Sequence, residues 1–220
     1  MSYTDLAYNM EFFFVLTWVA LKVAKSLRDG AMMLHEASIM KSLNHPNIIK
    51  LIDIPIKHPC SHRVVLVLEY VEAGSLASQI HLLWKRTERE LWFPMKQMVA
   101  AVEYLHSWNI VHRDIKLQNV LCSNEGIVKV IDFNVATAFM HGKKFYDMCG
   151  TRGCMAPEIT AHGGYEGPPV DVWALGILFT ELFLGLQFDG HNIIDVSIVC
   201  DGVIICMWCE RHADAEGALH

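Results

Sequence analysis

An eight-residue segment near the middle of the chain constrains its fold more than any other feature. Residues 112–119 have the sequence His-Arg-Asp-Ile-Lys-Leu-Gln-Asn, so Lys116 follows Asp114 by two positions and Asn119 follows it by five. The segment separates a helical pattern from a strand pattern. An acid, a cation and an amide on one loop between regular elements predict a polar site that a rigid scaffold holds in place.

The chemistry that suits this set is phosphoryl transfer, whose barrier is lowered mainly by positioning and charge neutralisation. Asp114 can orient an attacking hydroxyl and accept its proton. Lys116 can neutralise charge on the transferred phosphoryl group, and Asn119 can hold a metal ion. Thirteen residues later, Asp132 begins the sequence Asp-Phe-Asn and offers a carboxylate for Mg²⁺.

The patterns along the chain divide it into two parts. The first part has three apolar runs typical of strands, at residues 19–23, 48–54 and 64–70. It also has one helical pattern, at residues 31–43. The second part is mainly helical, with helices predicted at 76–85, 91–108 and 171–185 and a hairpin of strands at 120–122 and 127–131. The predicted fold class is α+β. The helix at 171–185 is apolar all round, which is typical of a core helix.

Composition argues against several kinds of partner. The chain has 220 residues, of which 53% are hydrophobic and 19% are charged, and this is enough to bury a large core. Its formal net charge of -6 provides no basic field for nucleic acid or anionic lipid, so we expect neither partner. The apolar run 12–21 is too short to cross a bilayer, and the run 193–208 is interrupted by two aspartates.

The cysteines indicate a reducing environment. The seven of them form an odd and unevenly spaced set, unlike the disulfide framework of a small secreted domain. We therefore expect a cytoplasmic location, with the nucleus as an alternative. Cys206 and Cys209 have CxxC spacing, but no second pair or histidine stands at zinc-ligand distance along the sequence, so we predict no metal there.

Seven short motifs follow one another in an order that resembles the protein kinase family. They are Val-Ala-Leu-Lys22, Glu36, His112-Arg-Asp114, Asn119, Asp132-Phe133, Ala156-Pro-Glu158 and Asp171-Val-Trp173. The resemblance implies a bilobal fold, with a β-rich small lobe and hinge at residues 19–71 and a helical large lobe at 72–190. It leaves residues 1–18 and 191–220 as divergent segments, so we expect the family domain to be truncated at both ends.

The resemblance also implies a site for ATP and Mg²⁺. Lys22 would hold the α and β phosphates with Glu36 as its partner, although a surface lysine and a helix-face glutamate are the alternative. Asn119 and Asp132 would bind the metal. The adenine pocket and hinge would be formed by Ala20, Leu68, Glu69, Tyr70, Val71 and Leu121. The end of a buried strand explains the hinge residues equally well, and both interpretations can hold together.

Two residues are similar to those of the serine/threonine class. Lys116 is typical of it, and Thr151 resembles the threonine that bonds the catalytic aspartate and lysine in that class, with local turn capping as the alternative. The catalytic residues implied are Arg113, Asp114, Lys116 and Thr151. Three further stretches are similar to the calcium/calmodulin-dependent-kinase-like group, and within it to the microtubule-affinity-regulating and sperm motility kinases, namely residues 149–151, 165–176 and 188–190.

Asp147 stands four residues before Thr151, where many kinases of this kind carry a phosphorylated threonine. A carboxylate at this position can pair with Arg113 and supply part of what a phosphate would supply. The alternative is a solvated loop acid. Our hypothesis is that the activity of this chain does not depend on phosphorylation at position 147.

The chain departs from the family in three places. No glycine precedes Gly30 and only 21 residues precede Lys22, so we expect the first strands and the glycine-rich loop over the phosphates to be lacking. Asn134 replaces the glycine after the Asp-Phe pair, and we expect it to keep a left-handed backbone, which asparagine tolerates. The resemblance stops near residue 190, so Glu158 is expected to lack its arginine partner.

These residues predict a protein serine/threonine kinase that transfers the γ-phosphoryl group of ATP to protein substrates. Two alternatives stay open. One is a kinase-like scaffold that binds protein partners without turnover. The other is an incomplete kinase chain whose exposed apolar surface aggregates. Substrate identity and oligomeric state do not follow from the sequence.

Overall fold

The first part of the chain folds into a sheet of four strands and one helix. The computed structural model of the protein describes residues 7–12, 15–55, 64–83 and 87–187. The strands are β1 (Ala7–Phe12), β2 (Val15–Val23), β3 (Leu51–Asp53) and β4 (Val65–Glu69). They pair antiparallel in the order β1-β2-β4-β3, and Lys22 of β2 lies opposite Leu66 of β4.

The strand that carries Lys22 is longer than predicted and has another strand beside it. β2 starts at Val15 rather than at residue 19, and it pairs with β1 from Ala7 opposite Ala20 to Phe12 opposite Val15. The β-branched and aromatic residues at 15–19 favour this extended conformation. The expectation that the first strands are lacking is therefore corrected, since one strand does precede that of Lys22. The absence of glycine before Gly30 remains.

Helix α1 (Leu27–Met40) follows β2 and begins four residues earlier than predicted. It begins at Leu27 because the Oγ of Ser26 accepts the backbone N–H of Asp29 at 3.1 Å, which caps the first turn. The buried face of α1 includes Met33, Glu36 and Met40. A carboxylate is thus carried on an otherwise apolar helix face.

The second part is mainly helical, as predicted. Its helices are α2 (Leu76–Leu83), α3 (Glu88–Ser107), α4 (Pro157–Thr160) and α5 (Gly167–Leu184). The predicted hairpin is present as β6 (Val120–Cys122) and β7 (Val128–Val130), and a short pair that was not predicted joins β5 (Ile110–Val111) to β8 (Thr137–Ala138). The α+β class is confirmed.

Helix α5 is the centre of the helical part. Twelve of its 18 residues are buried, and Gly185 ends it with a left-handed φ of 66°. Among the described residues, α5 is the one helix long and apolar enough to cross a membrane, but 67% of it is buried inside the protein. Burial of this kind is typical of the core helix that the sequence predicted.

One apolar core runs through both parts. It includes Met33 and Ala37 of α1, Leu66 of β4 and Leu178 of α5. The sheet and the helices are therefore packed on a shared core, and the loops between them are fixed at both ends. The predicted tail at 191–220, with Cys206 and Cys209, lies outside the described residues.

Candidate active site

The loop at 112–119 is fastened to helix α5 by a single carboxylate. Asp171 is fully buried and accepts the backbone N–H groups of His112 at 2.9 Å and of Arg113 at 2.7 Å, and it also accepts Nε2 of His106 at 2.9 Å. Arg113 has a left-handed φ of 64°, which costs energy for a non-glycine residue. The two backbone bonds to Asp171 stabilise that conformation, so the core helix sets the direction of the loop.

The ring of His112 connects the loop to the segment that contains Asp132. Its Nδ1 accepts the N–H of Asp114 at 3.3 Å, so Nε2 carries the proton and donates it to the carbonyl of Ile131 at 3.0 Å. The ring also meets Phe133 edge-on at 4.9 Å between centroids. No role was predicted for this ring. Its burial, which follows only from the fold, is what requires polar partners for a histidine here.

Asp114 collects three side-chain donors. Thr151 donates to its Oδ1 at 2.6 Å, while Lys116 and Asn119 donate to its Oδ2 at 2.7 and 3.0 Å. Lys116 also lies 2.6 Å from Oγ1 of Thr151. The structure therefore brings together four of the predicted residues, with the contact that the resemblance implies for Thr151. Together the three donors limit the rotation of the Asp114 carboxylate.

The approach of Thr151 to the loop requires the preceding glycine. Gly150 has a φ of 102°, and a Cβ there would stand 2.7 Å from the carbonyl oxygen of Arg113. Any other residue would push the two segments apart.

Lys22 lies between two carboxylates. Its Nζ is 2.7 Å from Oε2 of Glu36 and 2.9 Å from Oδ1 of Asp132. Glu36 is 1% exposed, which argues against the alternative of a helix-face glutamate in solvent. Its Oε1 accepts the N–H of Phe133 at 3.2 Å, so the helix, the sheet and the Asp132 segment meet at one point.

Burial raises the pKa of the Glu36 carboxyl above its ordinary value, against the opposing effect of the Lys22 ammonium group. Glu36 therefore takes up a proton at a higher pH than an exposed glutamate does. The ion pair with Lys22 therefore weakens as the pH falls and Glu36 takes up its proton.

Asn134 does not use the left-handed backbone that we predicted for it. Among the described non-glycine residues, positive φ occurs at Asn109, Arg113 and Asp132, where the value is 66°. The left-handed turn therefore falls two residues earlier than predicted. The side chain of Asn134 is engaged instead: its Nδ2 donates to Oδ1 of Asp132, and its Oδ1 lies 3.5 Å from Nζ of Lys22.

A cavity of about 530 Å³ lies between the sheet and the helical part. All six residues predicted for the adenine pocket and hinge line this cavity, namely Ala20, Leu68, Glu69, Tyr70, Val71 and Leu121. Further lining residues were not predicted, namely Ile49, Glu72, Gly74, Ser75, Ser78, Gln118 and Ile131. These come from elements whose packing had to be known first. A mainly apolar cavity of this size suits a flat heteroaromatic ring.

The hinge residues differ in the groups they leave for a ligand. The N–H of Glu69 donates to the carbonyl of Lys50 at 3.0 Å, and its carboxylate pairs with Nζ of Lys129 at 2.7 Å. The N–H of Val71 bonds to no described residue. Val71 is therefore the hinge residue best placed to bond a ligand in the cavity.

Arg113 connects the loop to the segment that contains Asp147. Its Nη1 is 2.8 Å from Oδ2 of Asp147 and 3.2 Å from the hydroxyl of Tyr165, and its guanidinium lies 4.9 Å from the centre of the Phe145 ring. The side chain of Arg113 is 8% exposed, whereas that of Asp147 is 58% exposed. The pairing proposed from the sequence is present, in a half-solvated form. Burial raises the pKa of the neighbouring Cys149 thiol, so it stays protonated near neutral pH.

The residues assigned to the metal fit a hard cation. Asn119 turns its Nδ2 toward Asp114, whose carbonyl and carboxylate accept it at 2.9 and 3.0 Å, and its Oδ1 is left without a partner among the described residues. Oδ2 of Asp132 likewise accepts no hydrogen bond from the part of the chain described. An amide oxygen and a carboxylate oxygen are ligands that suit Mg²⁺.

Glu158 lies in the first turn of α4, where a negative charge interacts favourably with the helix dipole, and it is half-buried. No ion pair to it occurs within residues 7–12, 15–55, 64–83 and 87–187. The expected loss of its arginine partner concerns residues beyond that part of the chain.

Comparisons with known proteins are consistent with this geometry. The family model described as protein kinase domain matches residues 14–211. The probable serine/threonine-protein kinase MARK-C of Dictyostelium discoideum is 37% identical over 163 residues, which are 74% of this chain and 21% of that protein. NUAK family SNF1-like kinase 2 of Homo sapiens is 37% identical over 170 residues, covering 76% of this chain and 27% of that protein.

A third relative, NUAK family SNF1-like kinase 1 of Mus musculus, is 35% identical over 170 residues, which are 76% of this chain and 25% of that protein. The chain thus spans about a quarter of the length of the curated relatives it matches.

Proposed function

The chain belongs to the protein kinase family, and from that membership we propose that it transfers the γ-phosphoryl group of ATP to a serine or threonine hydroxyl of a protein substrate. The observation that carries the proposal is the environment of Asp114. Its carboxylate is held by Thr151 and Lys116 at 2.6 and 2.7 Å, on a loop fixed to the core helix. Positioning and charge are what phosphoryl transfer requires of a protein.

In this proposal each residue has one task. Asp114 orients the substrate hydroxyl and accepts its proton, and Thr151 keeps the carboxylate in place. Lys116 neutralises charge on the transferred group. When bound, Mg²⁺ neutralises the phosphates, and Asn119 and Asp132 are the residues that would hold it.

The nucleotide is recognised by the other residues of the site. Lys22, positioned by Glu36, binds the phosphates, and Glu36 is itself tied to the Asp132 segment through Phe133. The cavity of about 530 Å³ takes the adenine, with the N–H of Val71 as its hydrogen-bond donor. We also propose a cytoplasmic site of action, from the uneven cysteine set.

One observation favours a second candidate, a scaffold that binds nucleotide or protein without turnover. Strands β1 and β2 precede Lys22 in the sequence, as the glycine-rich loop does in the family, yet the chain has no glycine before Gly30. Every residue before Gly30 therefore carries a Cβ, which keeps backbone N–H groups from approaching phosphate closely. Weak closure would allow water into the site and lower the rate of transfer.

Nucleotide binding is tested first, with the whole chain. We expect Mg²⁺ and ADP together to stabilise the protein by about 2.7 kcal/mol at a hundredfold excess over Kd, and so to raise its melting temperature. Asp132→Asn should lose the Mg²⁺-dependent part of the shift, because an amide is a poorer ligand for a hard cation. Differential scanning fluorimetry with and without EDTA measures both.

The matched control for this experiment is Asp53→Asn, which changes an exposed aspartate on β3 away from the cavity. It should respond as the parent does. A parent protein that shows no shift with Mg²⁺ and ADP would contradict both the kinase and the nucleotide-binding scaffold.

The pair of Arg113 and Asp147 leads us to predict a smaller effect on the rate of phosphotransfer. Because the aspartate is 58% exposed, we expect Asp147→Ala to lower phosphotransfer only about two- to fivefold, which is the range of a solvent-exposed ion pair. Asp147→Glu keeps the charge and should retain most of the rate. Initial rates on a generic basic protein substrate provide the measurement. An alanine variant as fast as the parent would show that Asp147 is only a solvated loop acid.

A further inference from the structure

Asn134 is an uncharged side chain that contacts both Lys22 and Asp132 of the nucleotide site. Its Nδ2 donates to Oδ1 of Asp132, and its Oδ1 faces the ammonium group of Lys22 at 3.5 Å. An amide presents a donor and an acceptor a short distance apart. It therefore matches a carboxylate and an ammonium group that are themselves paired at 2.9 Å.

The backbone gives no reason for asparagine at this position. The left-handed φ of the loop belongs to Asp132, and Asn134 is not among the residues with positive φ. Alanine would fit the same backbone without strain. The particular side chain is thus explained by its contacts and not by the turn.

We propose that Asn134 is a positioning residue that orients the carboxylate of Asp132 for Mg²⁺, an inference that rests on the nucleotide binding proposed above. The two contacts from Lys22 and Asn134 converge on Oδ1 of Asp132. They leave Oδ2 for the cation. The amide thereby fixes which oxygen of Asp132 binds metal before any metal arrives.

This arrangement has a consequence for metal choice. Mg²⁺ requires near-ideal octahedral geometry and accepts single carboxylate oxygens, whereas Ca²⁺ tolerates irregular geometry and often takes both oxygens of one carboxylate. A carboxylate that offers one oxygen favours Mg²⁺. Residues that orient a metal ligand in this way typically change metal affinity 10- to 100-fold when they are removed.

The test uses the whole chain with Mg²⁺ and Ca²⁺ as separate probes at a fixed concentration of ADP. The variants are Asn134→Ala and Asn134→Gly, with Asn134→Asp as a shape-matched change that places a second carboxylate beside Asp132. The half-saturating metal concentration is read from the melting temperature, and the melting temperature in EDTA without nucleotide shows that each variant is folded. Asn124→Ala, at an exposed turn, is the control.

We expect the half-saturating Mg²⁺ concentration to rise about tenfold in the alanine and glycine variants, in line with the loss of an orienting partner. The half-saturating Ca²⁺ concentration should change less, so the affinity difference that favours Mg²⁺ over Ca²⁺ becomes smaller. Asn134→Asp should bind Mg²⁺ differently from both, through a new ligand or through repulsion of Asp132. A parent that responds to Mg²⁺ while the alanine and glycine variants titrate at the same or a lower concentration would overturn the inference. A parent without any response would overturn the proposed function, and this inference with it.

Discussion

Asp114→Asn should lose phosphotransfer by a factor of about 10² to 10⁴ while keeping its nucleotide-dependent melting shift, since that is the usual contribution of a positioned general base. The amide cannot accept the proton of the substrate hydroxyl. It can still accept the bond from Thr151 at Oδ1 but loses the acceptor for Lys116 and Asn119 at Oδ2. The loop should keep its position because Asp171 holds the backbone of His112 and Arg113. Transfer of radiolabelled phosphate from ATP to a generic basic protein measures the loss.

Phosphate transfer and the nucleotide-dependent melting shift, measured together, separate the enzyme from the scaffold. Asp53→Asn again provides the control, because it removes one exposed negative charge outside the site. A parent that binds Mg²⁺ and ADP but transfers no phosphate would favour the scaffold. A variant at position 114 that is as active as the parent would show that the measured transfer does not arise from this site.

The second large effect concerns stability. We expect Asp171→Ala to destabilise the protein by about 3–5 kcal/mol, the cost of removing one partner from a buried charged network. Three donors would lose their acceptor: the buried N–H of His112 and the part-buried N–H of Arg113 and ring of His106. For a chain of this size the loss corresponds to a fall in melting temperature of roughly 6–20 °C.

Asp53→Ala, which removes an exposed aspartate, should shift stability by less than about 0.5 kcal/mol. Asp171→Asn keeps one acceptor oxygen, so its loss of stability should lie between those of Asp171→Ala and Asp53→Ala. Thermal unfolding followed by circular dichroism gives all three values. If Asp171→Ala melted within about 2 °C of the parent, the carboxylate would not be what fastens the loop to α5.

The parts of the site predicted from sequence are those where chemistry restricts the residue type. An acid, a lysine and an amide at the spacing of Asp114, Lys116 and Asn119 suggest phosphoryl transfer before any fold is known. The family, the fold class and the relationship to serine/threonine kinases are confirmed by the comparisons. Helix α5 was predicted because its uniform hydrophobicity leaves burial as its main option.

The features that were missed depend on neighbours distant in the sequence. Strand β1 has little strand pattern of its own, and it forms because β2 offers a pairing edge from Val15 to Ala20. The cavity walls at Gln118 and Ser78 come from separate elements and meet only after packing. Asn134 was judged by its backbone tolerance, whereas its role in the fold depends on Lys22, which is 112 positions away.

The pair of Arg113 and Asp147 has a consequence for how such a protein is switched off. A phosphate ester on this segment could be removed by a phosphatase within the lifetime of the molecule. The Asp147 carboxylate is part of the polypeptide and lasts as long as the chain does. For a kinase built in this way, we expect the duration of its signal to follow the synthesis and degradation of the protein more than the balance of other kinases and phosphatases.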